Sequence, residues 1–585
     1  MYLILKHTNG KYRLLLILAL LVLLGQVLTE TYIPLIMSDI STIIQTPGSG
    51  MQDVSKQVIL MLILATVAFL LAVLSCYMIA VVGNEAASKI RSDLFEKVVG
   101  FSLADMAQFG TGSLITRCTN DVNDVQSFLN QSLQPLICAP LMIVAVFARI
   151  SGTRKEWTFL GIAAIVVLSA LLVYIIASAI PVVKISSRLR DRIATLTREH
   201  IYGMRVILSV NNQEKQEKEY AKVNNELSKV MTRVRVIMAA FSPVISALLY
   251  ALSVAVYISG AFMIGRTAGN DKIAMYSDMA AFVSYIALLI GSLVNIMMII
   301  LMVPKFFNST SRIKEVLSRK NTIEDGGEDA PPIQKNGSIE FKNVSFNYPG
   351  SKEAAISGIS FKIERGETVA IIGGTGSGKT TILNLIPRLY DVTEGEVLID
   401  GMDVRKYRQK DLRNRLGYVP QTAFLFAGTI QENIGYGENG RFRATLEEIQ
   451  KAAKTGQADE FIRKKEAGYN EKVEMGGTNF SGGQKQRLTI SRAVCRDPEI
   501  YLFDDSFSAL DFKTDRQLRK KLKETAADAT IVIVGQRIST IQNADRILVM
   551  DRGRLIAQGT HEELLESCDV YKEIAESQKA GREAV

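Results

Sequence analysis

The chain has 585 residues, 48% hydrophobic and 22% charged, with a formal net charge of +9. That length exceeds a single hydrophobic core and calls for several structural units. The basic balance raises nucleic acid as a partner, but many Lys and Arg residues lie between long apolar stretches, a placement that points to a membrane and excludes nucleic acid. The cysteines, Cys76, Cys118, Cys138, Cys495 and Cys568, have neither metal-ligand spacing nor the density of a disulfide framework, which fits reducing surroundings.

In chain order, Leu14–Met37 is apolar over a length that crosses a bilayer. Lys6, Lys11 and Arg13 before it would also suit a secretory signal, but the run is too long and has no small-x-small cleavage site. Further spans are expected at 58–82, 133–150, 158–183, 239–264 and 275–303, giving six helices in a transmembrane domain over 1–320. With the N-terminus inside, the Lys- and Arg-rich segments 83–131 and 184–235 are cytoplasmic. The outer connections carry only Lys56, Arg154, Lys155, Arg266 and Lys272. Helical periodicity in Leu94, Val98, Phe101 and in Leu196, Ile201, Arg205, Leu208 predicts that membrane helices extend far into the cytosol, as carriers of motion or as stalks. Polar residues within spans are functional candidates, so Gln26, Glu30 and Asn295 are assigned to a substrate path. Glu30 either attracts a cationic substrate or lies near the outer leaflet and meets water or an Arg.

Residues 321–337 (NTIEDGGEDAPPIQKNG) are polar and rich in Gly and Pro, and read as a linker. From Ser338 strands and helices alternate, predicting an α/β nucleotide-binding domain over 338–578. Its centre is Gly373-Gly374-Thr375-Gly376-Ser377-Gly378-Lys379-Thr380-Thr381, a G-x-x-x-x-G-K-T phosphate loop. Its glycines let backbone N–H groups curl toward a triphosphate, Lys379 reaches the β/γ oxygens, and Thr380 offers a hydroxyl to Mg²⁺. The apolar strand Thr368–Ile372 before it and a helix after it separate this from a chance Gly-rich turn. Further on, Ile500–Asp505 is a strand ending in two carboxylates, of which Asp504 suits Mg²⁺. Phe480-Ser481-Gly482-Gly483-Gln484 opens a helix that could present N–H groups to a second phosphate.

The order of phosphate loop, S-G-G-Q, strand-end Asp and Ser508-Ala509-Leu510-Asp511 resembles the ATP-binding cassette family. Six spans before one cassette resemble its exporter half-transporters, a likeness covering nearly the whole chain. The resemblance implies a six-helix α transmembrane domain with cytoplasmic extensions, followed by an α/β P-loop cassette, using ATP and Mg²⁺. It implies that Tyr348 stacks on adenine, that Gln421 senses Mg²⁺ and the membrane domain, and that Thr380, Gln421 and Asp504 hold the metal. Ser481, Gly482, Gly483 and Gln484 would be the signature, with Phe480 for the usual Leu, and Ser508, Ala509, Leu510 and Asp511 the D-loop. Segments near Ser102–Gln108 and Tyr202–Asn212 fall where the family's coupling helices touch the cassettes.

Within its own catalytic site the chain departs from the family at two positions. Where the family has a catalytic Glu, Asp505 is one methylene shorter, a misplacement of about 1 Å that can lower a rate on the order of 100-fold. Where the family has a switch His, Gln536 stands, and none of His7, His200 and His561 is near. An amide supplies neither an imidazole's charge nor its proton transfer. This resembles the degenerate-site subunit of bacterial heterodimeric multidrug exporters in the cytoplasmic membrane. Its expected partner is a second half-transporter with intact Glu and His, and its substrate an amphipathic drug-like or lipid-like compound. A homodimer with two slow sites, a lipid or peptide exporter, and a regulatory ATP-binding membrane subunit are the alternatives.

Overall fold

The computed structural model describes residues 10–46, 50–151, 155–266, 271–328, 337–437 and 444–583. The chain forms two compact units, Met1–Val99 with Gly112–Arg319, and Gly100–Thr111 with Lys320–Val585. Of the expected linker, 329–336 lies outside the described residues.

The first unit is helical: α1 (Gly10–Gln45), α2 (Met51–Val99), and, beyond the short helix α3 (Leu103–Phe109) of the second unit, α4 (Thr111–Thr116), α5 (Val122–Ser151), α6 (Lys155–Ser209), α7 (Gln213–Arg266) and α8 (Asp271–Ser318). Each expected span lies inside one of the long helices. Among the described residues, Gly10–Gln45, Met51–Val99, Thr111–Ser151, Pro243–Arg266 and Lys272–Ile296 are long and apolar enough to cross a membrane. The stretch expected at 158–183 is helical within α6. The 54 residues of α7 extend about 80 Å at ~1.5 Å per residue, far more than a hydrocarbon core of about 30 Å. These are the extensions that the periodicity predicts. Leu14, Phe69 and Phe262 are 68%, 66% and 69% exposed, an apolar exterior that suits lipid and not water. Inside, Val27, Met142, Val146, Tyr285, Ile286 and Leu289 form the main core, joining α1, α5 and α8.

Between α4 and α5 the helix widens to a π turn at Arg117–Asp121. Charged groups fasten this turn to α8. Arg117 pairs with Glu315 at 2.8 Å, Arg312 with Asp121 at 3.2 Å and Lys305 with Asp124 at 2.6 Å. Ser309 Oγ donates to both aspartates.

In the second unit the short helix α3 (Leu103–Phe109) is capped by Ser102. Its fully buried Asp105 accepts from Thr322 N at 3.0 Å and Thr322 Oγ1 at 2.6 Å. Residues 325–328 then run beside 406–409. Gly326 N donates to Tyr407 O, Glu328 N to Lys406 O, and Gln409 N to Asp325 Oδ1. A Cβ on Gly326 would lie 2.1 Å from Lys406 O, so only glycine fits that approach. The other segment expected to resemble a coupling helix, Tyr202–Asn212, forms no separate helix: it is the end of α6 and the turn into α7.

The strands are β1 (Ile339–Phe346), β2 (Ile356–Ile363), β3 (Thr368–Gly373), β4 (Glu394–Ile399), β5 (Met402–Asp403), β6 (Leu416–Val419), β7 (Gly428–Thr429), β8 (Lys472–Val473), β9 (Ile500–Asp504), β10 (Thr530–Val534), β11 (Arg546–Asp551) and β12 (Arg554–Gly559). One sheet has the order β2-β1-β4-β5, and the larger one β12-β11-β3-β10-β9-β6. In the larger sheet β6, β9, β10, β3 and β11 are parallel, and β9 and β10 are buried at every position. Continuous apolar sequence, with no alternation, is what strands covered on both faces require.

Candidate nucleotide site

The phosphate loop follows β3 and leads into α9 (Lys379–Leu385), against the ends of β9 and β10. Gly378 has φ +94°, and a Cβ there would lie 2.5 Å from Ile356 Cγ2 and 2.8 Å from Ala355 O. Glycine is therefore needed for both conformation and space. The loop folds around Lys379, whose ammonium donates to the carbonyl oxygens of Gly373 (2.9 Å) and Gly374 (2.6 Å) and to Ser377 Oγ (3.3 Å). Burial pushes the Lys379 ammonium below the ordinary lysine range, opposed by the charges of Asp505 and Asp504.

Sheet register brings the two carboxylates here. In the parallel pair β9/β10, Asp504 is opposite Val534, and Asp505 N donates to Val534 O at 3.0 Å. The two strands end together, so the next residues, Asp505 and Gly535-Gln536, leave the sheet side by side. Gln536 Nε2 consequently donates to Asp505 Oδ2 at 2.9 Å. Asp505 adopts φ +45°, a region that aspartate tolerates better than most residues. Burial raises its carboxyl above the usual carboxylate range, tempered by Gln421, Lys379, Ser508 and Arg537. Burial also raises Asp504, which accepts from Thr380 Oγ1 at 2.9 Å.

A cavity of about 280 Å³ collects Tyr348, Thr375, Gly376, Gly378, Lys379, Thr380, Thr381, Gln421, Asp504, Asp505 and Gln536. Ala355 and Val534 complete its wall, and both went unpredicted because they contribute only shape. Tyr348 is fixed by an edge-on contact with Tyr390 at 5.4 Å and by a 3.0 Å hydrogen bond between its hydroxyl and Thr381 Oγ1. The cavity does not include Ser481–Gln484 or Ser508–Asp511. Ser481 instead caps α10 (Gly482–Cys495) in a reciprocal pair with Gln484. Ser508 Oγ donates to the backbone oxygen of Asp505 at 2.7 Å. Asp511 caps α11 (Phe512–Thr525).

The Thr380 hydroxyl and the Asp504 carboxylate, with the Gln421 amide in the same cavity, form a hard-oxygen donor set that suits Mg²⁺. Among the described residues no cluster of three His, Cys, Asp or Glu side chains forms an all-protein metal cage.

Of the membrane candidates, Gln26 Nε2 donates to Glu30 Oε1 at 2.8 Å, one helical turn apart on α1. Gln26 Oε1 is buried without a partner. Asn295 is exposed on α8, and among the described residues no hydrogen bond joins it to that pair.

Comparison with known proteins gives a consistent result. Residues 16–293 match the ABC transporter transmembrane region, and residues 356–508 match the ABC transporter family. An uncharacterised ABC transporter ATP-binding protein of Bacillus subtilis, YfiB, is 33% identical over 575 residues, 98% of this chain and 97% of its own. The putative multidrug export ATP-binding/permease protein YgaD of the same organism is 33% identical over 83% of this chain and 82% of its own. An ATP-dependent lipid A-core flippase of Haemophilus influenzae is 31% identical over 87% and 85%. The structure of a bacterial Atm1-family ABC exporter with ATP bound superposes with a TM-score of 0.81 at 24% identity, covering 98% of this chain and 99% of that one.

Proposed function

The chain belongs to the ABC transporter family, a multi-pass membrane protein carrying its ATPase on the same polypeptide, and from that premise we propose that it is the weakly hydrolysing half of a heterodimeric exporter. The observation that carries the reading is the 2.9 Å contact between Gln536 Nε2 and Asp505 Oδ2. The carboxylate placed to act as general base is short by one methylene, and one of its oxygens is already bound by an amide. A base must reach within hydrogen-bond distance of the attacking water to draw off its proton, and the shorter, amide-bound Asp505 carboxylate is poorly placed to do so.

The remaining machinery is intact. Lys379 supplies positive charge at the phosphates, and the curled glycine backbone supplies donors. Thr380, Asp504 and Gln421 would hold Mg²⁺, which would supply positive charge against the phosphoryl oxygens. Tyr348 receives the base. The site on this chain therefore holds ATP longer than it splits it. Ser481–Gln484 completes the partner's site, where most hydrolysis occurs. The pair works in the cytoplasmic membrane of a bacterium, with the cassettes inside, and exports amphipathic drug-like or lipid-like compounds. Relatives described as a multidrug export protein and a lipid A-core flippase support that substrate class. Gln26 and Glu30 belong to its path.

The test is ATP turnover by the purified chain without a partner. The reading expects slow phosphate release that changes little on Asp505→Asn. Brisk release that Asp505→Asn abolishes would overturn it.

A further inference from the structure

In the second unit, α12 (Ile538–Ile541) follows β10, and the C-terminal helix α13 (Asp569–Glu583) comes after β12 and the short helix His561–Ser567. The buried face of α13 is Tyr571, Ile574 and Ala575, at the spacing of one helical stripe. Tyr571 is fully buried, and its hydroxyl lies 2.6 Å from His561 Nδ1. Seven residues on from Tyr571, the same stripe presents Gln578 to the backbone after β10. Gln578 Nε2 donates to Gln536 O at 2.6 Å, and Gln578 Oε1 accepts from Ile538 N at 2.8 Å. Ile538 N, the first N–H of α12, has no acceptor within the helix, and Arg537 in the cap position makes no side-chain cap bond. The amide supplies both sides of this grip, whereas a carboxylate could supply only the acceptor and an ammonium only the donor.

We propose that Gln578 is a positioning residue for the switch position. It pins the backbone on both sides of Arg537, so that the Gln536 side chain stays on Asp505 and the nucleotide cavity stays closed on that side. The C-terminal helix thereby sets how long nucleotide remains on this chain's site. The inference rests on the reading that Gln536 borders bound nucleotide, and its test separates the two.

The measurement is dissociation of mant-ATP with Mg²⁺ from the full-length assembled pair, the other site having been silenced by replacing its own phosphate-loop lysine. Gln578→Leu removes both bonds at similar volume and should speed dissociation about 5–10-fold. Gln578→Glu keeps the bond to Ile538, loses the one to Gln536, and should speed it about 2–5-fold; it carries the test if the leucine variant does not fold. Gln536→Ala should act as strongly as Gln578→Leu, and the double variant no more strongly than Gln536→Ala alone, because both act through one contact. A merely structural role for Gln578 would instead give multiplying effects in the double variant, which overturns the proposal. A silent Gln578→Leu or Gln578→Glu beside an active Gln536→Ala overturns the proposal alone. A silent Gln536→Ala overturns the reading of position 536 and the proposal with it.

Discussion

If the proposed reading holds, placing Glu at 505 and His at 536 should raise hydrolysis at this chain's site. Asp505→Glu adds one methylene, which moves the carboxylate out by about 1 Å, the scale of misplacement that separates rates on the order of 100-fold. Gln536→His removes the amide now 2.9 Å from Oδ2 and puts an imidazole in its place. Together they should recover up to about 100-fold in hydrolysis, equivalent to ~2.7 kcal/mol of barrier. The backbone opposes part of this gain, since φ at position 505 is +45° and glutamate tolerates that region less well than aspartate, at about 1 kcal/mol. A rise of roughly 10–100-fold is therefore expected, with a slightly lower Tm. The assay is phosphate release from the pair whose partner has had its own catalytic Glu replaced by Gln, so that only this chain's site contributes. A change of less than about twofold, with nucleotide binding intact, would refute the geometric argument.

Gly378→Ala should destabilise the cassette by about 1–3 kcal/mol and weaken ATP binding, because φ is +94° and the new methyl meets Ile356 and Ala355 at 2.5 and 2.8 Å; thermal melts and nucleotide titration check both. ATP affinity should fall at alkaline pH sooner than an exposed lysine would allow, because burial lowers the Lys379 pKa and deprotonation removes the charge facing the phosphates; titration of binding against pH reads the inflection. Asp105→Ala leaves Thr322 N without its acceptor, a loss of about 1–3 kcal/mol locally, so hydrogen exchange at 321–328 should quicken roughly 10–100-fold while the strand core stays protected.

What could be read from sequence was whatever is contiguous. Gly373–Thr381 carries its own spacing, and the buried parallel strands on either side of the site announce themselves as unbroken apolar runs. Hydropathy located the membrane helices but understated them: it registers the lipid-facing part, whereas α6 and α7 continue as polar helices through 184–235. That Asp505 and Gln536 belong to one site came from family resemblance. Their contact itself depends on the β9/β10 register, which no local pattern encodes. The Asp105–Thr322 bond joins residues 217 apart, and the Gln578–Gln536 bond joins residues 42 apart. Both rest on single polar side chains without a motif, so neither was visible before the fold. Gly100–Thr111, which carries Asp105, groups with the unit of Lys320–Val585, so the transmembrane domain drawn over 1–320 is interrupted there.

Vanadate trapping tests the asymmetry most directly, because vanadate locks ADP only onto a site that has just hydrolysed ATP. With the assembled pair and photoreactive azido-ATP, the trapped label should appear on the partner chain and be nearly absent from this one, while simple binding in the cold labels both. Equal trapped label on the two chains would contradict the account.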